Sequence, residues 1–396
     1  MNIDEKIFSE LEKMSNYFVK KDFRENQEIG LFNGLSGEIL LLGLEYLRTK
    51  DEIYLNCLNE RVLYIIDSFD DEKKVNTTLT SGIAGFSWCI SLLSQNGIID
   101  CDDDFFENFD LILEKQIKIM FENNQVDQLN EALGIAQYFI KRGNLKILEF
   151  SVDFLAKTVV TINDENVWEW EPWNKRDTFV YDFSLAHGIT GKLAFLYQCF
   201  QLGVKKSLCK EIIIKGLNFL TNNIQDITKS KCFFPNQVLA NSYNSGQNST
   251  QYSRLAWCYG DLGVWYSIYN IASGIGLNDF VKLAIDGLKI TSKRRGFDDT
   301  SVVDAGFCHG SSGIAYIYNK LWRQVSDSDF QQAALYWYDE TVKYGENDYK
   351  YLAGNFEERD FTVDDSLLEG NCGVALSYLS FIDSNHINWD NVLLLS

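Results

Sequence analysis

The chain has 396 residues, 46% of them hydrophobic, with 2 prolines and a formal charge of −20 at pH 7. That length can bury a large core in one to three domains, and the scarcity of proline favours long helices. The acidic balance argues against nucleic-acid binding, which needs a basic face.

The first stretch, MNIDEKIFSELEKMSNYF, carries acids where a secretion signal needs bases, and it lacks an apolar centre. No apolar run reaches the roughly 18 residues of a membrane span. A cytoplasmic protein that is not an integral membrane protein is expected. The 9 cysteines are odd in number and scattered, which fits reduced, mostly buried thiols.

From Gly34 onward one motif recurs. GLSGEILLLGLEYL starts at Gly34, GIAGFSWCISLLS at Gly82, GITGKLAFLYQCF at Gly188, GDLGVWYSIYNIA at Gly260, GSSGIAYIYNKLW at Gly310 and GNCGVALSYLSFI at Gly370. A degraded copy, EALGIAQYFI, has Glu131 in place of the first glycine and keeps Gly134. Successive starts lie 48, 49, 57, 72, 50 and 60 residues apart. Each Gly-x-x-Gly leads an apolar segment of about three turns, and a second, amphipathic segment follows, as in IKGLNFLTNNI and FVKLAIDGLKITS. The first kind should be a buried helix and the second an outer one.

Seven such pairs predict a single all-α domain, residues 1–396, built as an (α/α)7 toroid of seven inner and seven outer helices. The glycines are expected to let inner helices approach closely at one end of the ring. A doubly wound α/β fold also opens helices with Gly-x-x-Gly, but no Val/Ile-rich strand precedes each motif.

The repeat also sets a phase. Counting the first motif position as zero, position −1 holds Asn33, Ser81, Asn130, His187, Tyr259, His309 and Glu369, all polar. Position −2 holds Phe32, Thr80, Leu129, Ala186, Cys258, Cys308 and Leu368. Cys258 and Cys308 are therefore equivalent residues of adjacent copies, and His187 shares the phase of His309. In a closed ring, equivalent residues gather at one end. Two thiolates and one imidazole then offer three ligands to a zinc ion and leave an open position, the pattern of catalytic sites. Cys372, at position +2, should lie inside its helix and not serve as a fourth ligand. Buried cysteines beside a capping histidine are the plainer alternative.

Two other stretches stand out. VWEWEPWNKRD holds three tryptophans and reads as a satellite core cluster or a wall of a peptide groove. NQVLANSYNSGQNSTQY, in the longest repeat interval, reads as a mobile loop or a lid. His386 sits in a polar stretch and reads as solvated.

At SRLAWCYGDLG, GFCHGSSG and LAHGITG the chain resembles the lanthionine synthetase C-like family, the lantibiotic cyclases, and all seven copies fit that resemblance. It implies an α/α toroid that binds one zinc ion through Cys258, Cys308 and His309. It implies that His187 is catalytic, and that Arg254, Tyr259 and Asp127 match active-site positions. Asp127 lies four residues before the degraded copy, where Glu131 breaks the glycine pattern. The implied reaction adds peptide cysteine thiols to dehydroalanine or dehydrobutyrine, giving thioether rings. The implied substrate is a dehydrated precursor peptide, with a dehydratase and an exporter as partners. Glutathione addition to dehydrated residues, a zinc-stabilised scaffold without activity, and an α/α-toroid glycosidase stay open as rivals. The glycosidase would need paired carboxylates, for which Asp127 and Glu369 are the candidates.

Overall fold

Each glycine motif opens a helix where the repeat puts it. The computed structural model describes residues 2–25, 28–70, 76–172, 177–246, 250–345, 351–355, 360–383 and 387–396. In chain order its helices are α1 (Ile3–Lys20), α2 (Leu35–Thr49), α3 (Glu52–Asp67), α4 (Ile83–Gln95), α5 (Asp104–Glu122), α6 (Ala132–Arg142), α7 (Leu145–Thr158), α8 (Ile189–Gln201), α9 (Lys206–Asn222), α10 (Ile227–Ser230), α11 (Ala240–Asn244), α12 (Asp261–Ile275), α13 (Asn278–Thr291), α14 (Phe297–Thr300), α15 (Ser311–Val325), α16 (Ser328–Tyr344) and α17 (Asn371–Ile382). Short strands interrupt them: a hairpin of β1 (Val160–Ile162) and β2 (Glu165–Val167), a three-stranded sheet in the order β3 (Glu169–Trp170), β4 (Val180–Asp182), β5 (Gln237–Leu239), and a hairpin of β6 (Leu352–Asn355) and β7 (Asp360–Val363), all antiparallel.

The seven glycine-led helices are α2, α4, α6, α8, α12, α15 and α17. In six of them the first motif glycine is the N-cap. They are buried almost all round: in α4 every residue from Ile83 to Leu93 is buried. The helices that follow bury one stripe, as α5 does with Phe106, Leu113, Ile117, Met120 and Phe121. Each large side chain so buried contributes roughly 1.5–3 kcal/mol.

One expected outer helix is placed differently. No amphipathic helix follows α17 among the described residues; a 3₁₀ turn, Trp389–Leu393, comes instead. The first helix, α1, packs against α16 and α17 in its place. Its stripe Ile7, Leu11, Met14, Phe18 is buried, and a capping box opens it, with Asn2 accepting from the Glu5 N–H and Glu5 accepting from the Asn2 N–H.

The chain divides into two compact units. The first, Met1–Arg142 with Val303–Trp389, holds α1–α6 and α15–α17. The second, Gly143–Val302 with Asp390–Ser396, holds α7–α14 and the three-stranded sheet.

The glycines serve a purpose the sequence did not reveal. A Cβ on the second motif glycine would meet the carbonyl oxygen three residues before the motif: Leu79 for Gly85 at 2.1 Å, Trp257 for Gly263 at 2.1 Å, Phe307 for Gly313 at 1.9 Å, Leu367 for Gly373 at 1.9 Å. A Cβ on the first glycine would meet the residue six before it, as Gly188 meets Asp182 and Gly370 meets Asp364. The close approach is therefore between each loop and the first turn of its own helix, not mainly between neighbouring helices. In the degraded copy the approach relaxes, since a Cβ on Gly134 would lie 2.9 Å from the Gln128 and Leu129 oxygens.

Candidate active site

The loops ahead of the inner helices are stitched to one another at the phase read from the sequence. In the first unit, the Thr80 hydroxyl donates to Leu129 O, the Phe32 N–H to Thr80 O, the Leu367 N–H to Phe32 O, and the Cys308 N–H to Leu368 O at 2.7 Å. In the second, the N–H groups of Leu185 and Ala186 donate to Cys258 O at 3.0 and 3.3 Å. Residues of equivalent phase are thus bonded neighbours although they belong to different copies of the repeat, far apart in the chain.

One group of potential metal ligands is found among the described residues: Cys258, Cys308 and His309, whose ligand atoms all lie within 4.8 Å of one another. The two cysteines are buried, at 5% and 8% exposure. Two thiols and an imidazole are the donor set that suits zinc, whose tetrahedral shell sets sulfur atoms about 3.8 Å apart at Zn–S distances of about 2.3 Å. A Glu369 oxygen stands 3.4 Å from Nε2 of His309, the carboxylate–imidazole contact that often orients a metal-binding histidine. Cys372 is buried inside α17, with its thiol directed to Gly37 O at 3.0 Å, as its phase required.

His187 and Tyr259 come together in the second unit. Their rings are 5.8 Å apart, and the Trp170 indole stacks on His187 at 6.1 Å and 6°. The backbone N–H of His187 donates to the Ser184 hydroxyl, and Lys192, buried in α8, donates to its carbonyl. Arg254 is half-buried, and its side chain makes no hydrogen bond or ion pair among the described residues.

Asp127 belongs to a tight local turn. Its Oδ1 accepts from the N–H groups of Leu129 and Asn130, both at 2.9 Å, and its own N–H donates to Glu131 Oε2 at 2.7 Å. Glu131, which breaks the glycine pattern, thus closes the turn with its side chain.

Sequence reasoning missed Asp182. It lies six residues before Gly188, at the end of β4, and is 1% exposed. Oδ1 accepts from the Ser184 N–H at 2.7 Å; Oδ2 accepts from the Gln237 amide at 2.7 Å and from the Tyr259 hydroxyl at 3.4 Å. Burial raises its pKa, while Ser184, Gln237 and nearby His187 pull it back. The available signal was the recurrence of Asn or Asp at this phase: Asn76, Asp182, Asp304 and Asp364.

The other stretches resolve as follows. Trp168 is core, donating to Leu155 O at 3.0 Å, whereas Trp170 reaches His187. Trp173 and His386 lie outside the described residues. The segment expected to be a loop or lid begins as β5 and continues as α11, so its first part is pinned to the sheet. No helix among the described residues is long and apolar enough to cross a membrane.

Glycine-led helix pairs repeated seven times, with a Cys–Cys–His group in the loops before them, define an all-α class of thiol-bearing α/α toroids. The family model for lanthionine synthetase C-like proteins matches residues 25–394, and the chain belongs to that family. Nisin biosynthesis protein NisC of Lactococcus lactis subsp. lactis is 23% identical over 328 residues, covering 76% of each chain. The solved structure of nisin cyclase matches with a TM-score of 0.76 at 20% identity, over 98% of this chain and 97% of that one. The two share a fold, and the α/α toroid expected from the repeat is that fold.

Proposed function

We propose that this protein is a zinc-dependent lanthionine synthetase. It adds cysteine thiols of a dehydrated ribosomal precursor peptide across dehydroalanine or dehydrobutyrine, forming lanthionine and methyllanthionine rings. The observation that carries this reading is the Cys258, Cys308, His309 donor set, gathered within 4.8 Å in a chain of the lanthionine synthetase C-like family. The chain acts as one domain with one zinc ion, in the cytoplasm, and a dehydratase and an exporter are its partners.

A free thiol has a pKa of about 8.5 and is mostly protonated at neutral pH; Cys258, Cys308 and His309 would hold the zinc, which when bound would lower that pKa and keep the substrate sulfur nucleophilic. Addition forms the S–Cβ bond, shifts negative charge to the carbonyl oxygen, and requires a proton at Cα. His187, half-buried between Trp170 and Tyr259, moves that proton. Arg254, whose charge has no partner among the described residues, faces the developing oxyanion. Tyr259 holds substrate beside His187, and Asp127 serves in the catalytic set as the acid that supports the histidine's proton transfer.

The test is incubation with a dehydrated precursor peptide, followed by blocking of leftover thiols and mass analysis, since ring closure itself leaves mass unchanged. Wild type should protect the cysteines. Cys308→Ala should lose metal, and His187→Ala should keep metal while losing turnover. A wild-type protein that carries zinc but leaves every peptide thiol free overturns the reading.

A further inference from the structure

We propose that Asp182 is a positioning residue of the active site: through Oδ2 it fixes the hydroxyl of Tyr259 beside His187, a task separate from its turn-forming role. The inference rests on the cyclase reading for the reaction it serves, but its geometric core stands without it.

The repeat supplies an internal control. Four loops carry Asn or Asp six residues before the motif glycine, and in each the side-chain oxygen accepts the backbone N–H two residues on: Asn76 from Thr78, Asp182 from Ser184, Asp304 from Gly306, Asp364 from Ser366. This is an Asx turn, and the amide of Asn76 forms it as well as a carboxylate does. The turn therefore needs only one oxygen. At positions 182 and 304 a full carboxylate is buried at 1% exposure, which is costlier to desolvate than an amide, so what singles out Asp182 is the pair of partners on its second oxygen.

The second oxygen has work that an amide nitrogen cannot do. It accepts from Gln237 Nε2 at 2.7 Å and from Tyr259 Oη at 3.4 Å. Both contacts run from donor to acceptor, and an Asn Nδ2 in that place would require Gln237 to flip its amide and the Tyr259 hydroxyl to turn from donor to acceptor. The sheet is arranged around this point. In its register Asp182 pairs with Gln237 and Trp170 pairs with Val180, and each strand contributes one side chain: Trp170 stacks on His187, Asp182 meets the Tyr259 hydroxyl, and Gln237 donates to Asp182. With its proton on Asp182, the Tyr259 hydroxyl is held in one orientation. The 3.4 Å separation is long for a hydroxyl–carboxylate bond, as contacts in substrate-free sites commonly are.

The experiment is a double-mutant cycle of Asp182→Asn and Tyr259→Phe, with zinc content and thermal unfolding measured on each variant. Asn at 182 keeps the turn, as Asn76 shows, and Gln237 can rotate its amide to accept from the new Nδ2. Zinc content and melting should therefore match wild type, while kcat falls about tenfold with KM changed less than about twofold. In the Tyr259→Phe background Asp182→Asn should cost little more, because the hydroxyl it positions is gone. Independent losses that multiply, or wild-type kcat in Asp182→Asn, overturn the proposal. A fluorotyrosine placed at 259 gives a readout that needs no turnover: its ¹⁹F resonance should move on Asp182→Asn. An unmoved resonance overturns the proposal, whereas an inactive wild type that still shows the shift counts against the cyclase reading alone.

Discussion

Substituting Gly313→Ala tests why the repeat keeps its second glycine. A Cβ at 313 would sit 1.9 Å from the Phe307 carbonyl oxygen and 2.9 Å from its carbon, distances that real Cβ atoms do not show. Clearing that contact requires a movement of more than about 1 Å. The obstacle is backbone, immediately before Cys308, and it is tied on several sides: the Cys308 N–H to Leu368 O, the Ser311 N–H to Asp304 O and the Ser312 N–H to Ala305 O. Overpacking of this kind costs about 1–3 kcal/mol, and each backbone bond broken to relieve it adds about 1 kcal/mol. The greater helix propensity of Ala returns up to about 1 kcal/mol, leaving a net loss of about 3 kcal/mol. The same shift displaces Cys308 by more than the roughly 0.2 Å that a metal site tolerates, so zinc retention should fall as well. Gly134→Ala is the comparison, because its Cβ would overlap the backbone less, at 2.9 Å from the Gln128 and Leu129 carbonyl oxygens, so a smaller shift relieves it and its net loss should be about 1 kcal/mol. Urea unfolding with a shared slope gives the stabilities, and metal analysis after dialysis gives zinc per chain. Equal behaviour of Gly313→Ala and Gly134→Ala would refute the account of the motif.

Other outcomes follow from the same structure. Under native conditions at pH 8, Cys57 and Cys101, which are half-buried, should alkylate first; Cys209, its thiol pushed up to about 11 by burial, should stay unlabelled. Removing zinc with a chelator should add two labelled cysteines, Cys258 and Cys308, as peptide mapping would show. Asp261→Ala should destabilise by about 3–5 kcal/mol in urea, because it strands buried Arg294, now 2.8 Å from the carboxylate, and two N–H donors of Phe233 and Phe234. Deleting residues 2–20 should leave α17 without its outer helix; the truncated chain should bind a hydrophobic dye and lose its sharp thermal transition, and a cooperative melt at the wild-type temperature would contradict the packing of α1.

The periodic part of this protein is written in its sequence. The Gly-x-x-Gly spacing located six inner helices and its degraded copy the seventh, because the first turns of each are buried nearly all round and few polar residues interrupt the apolar run. Phase alone paired Cys258 with Cys308 and, with His309 next to Cys308 in the chain, picked out the group whose ligand atoms lie within 4.8 Å of one another. What escaped the sequence depends on contacts that no local pattern encodes. The partner of α17 is α1, from the other end of the chain, and an amphipathic helix carries no mark of which neighbour it covers. The use of the glycines lies in a loop carbonyl folded onto the following turn, a distance rather than a composition. Asp182 looked like one more turn residue until β5 brought Gln237, and the next loop brought Tyr259, to its second oxygen. Burial and register decide which of two chemically equal carboxylate oxygens meets a partner, and only the tertiary structure sets them.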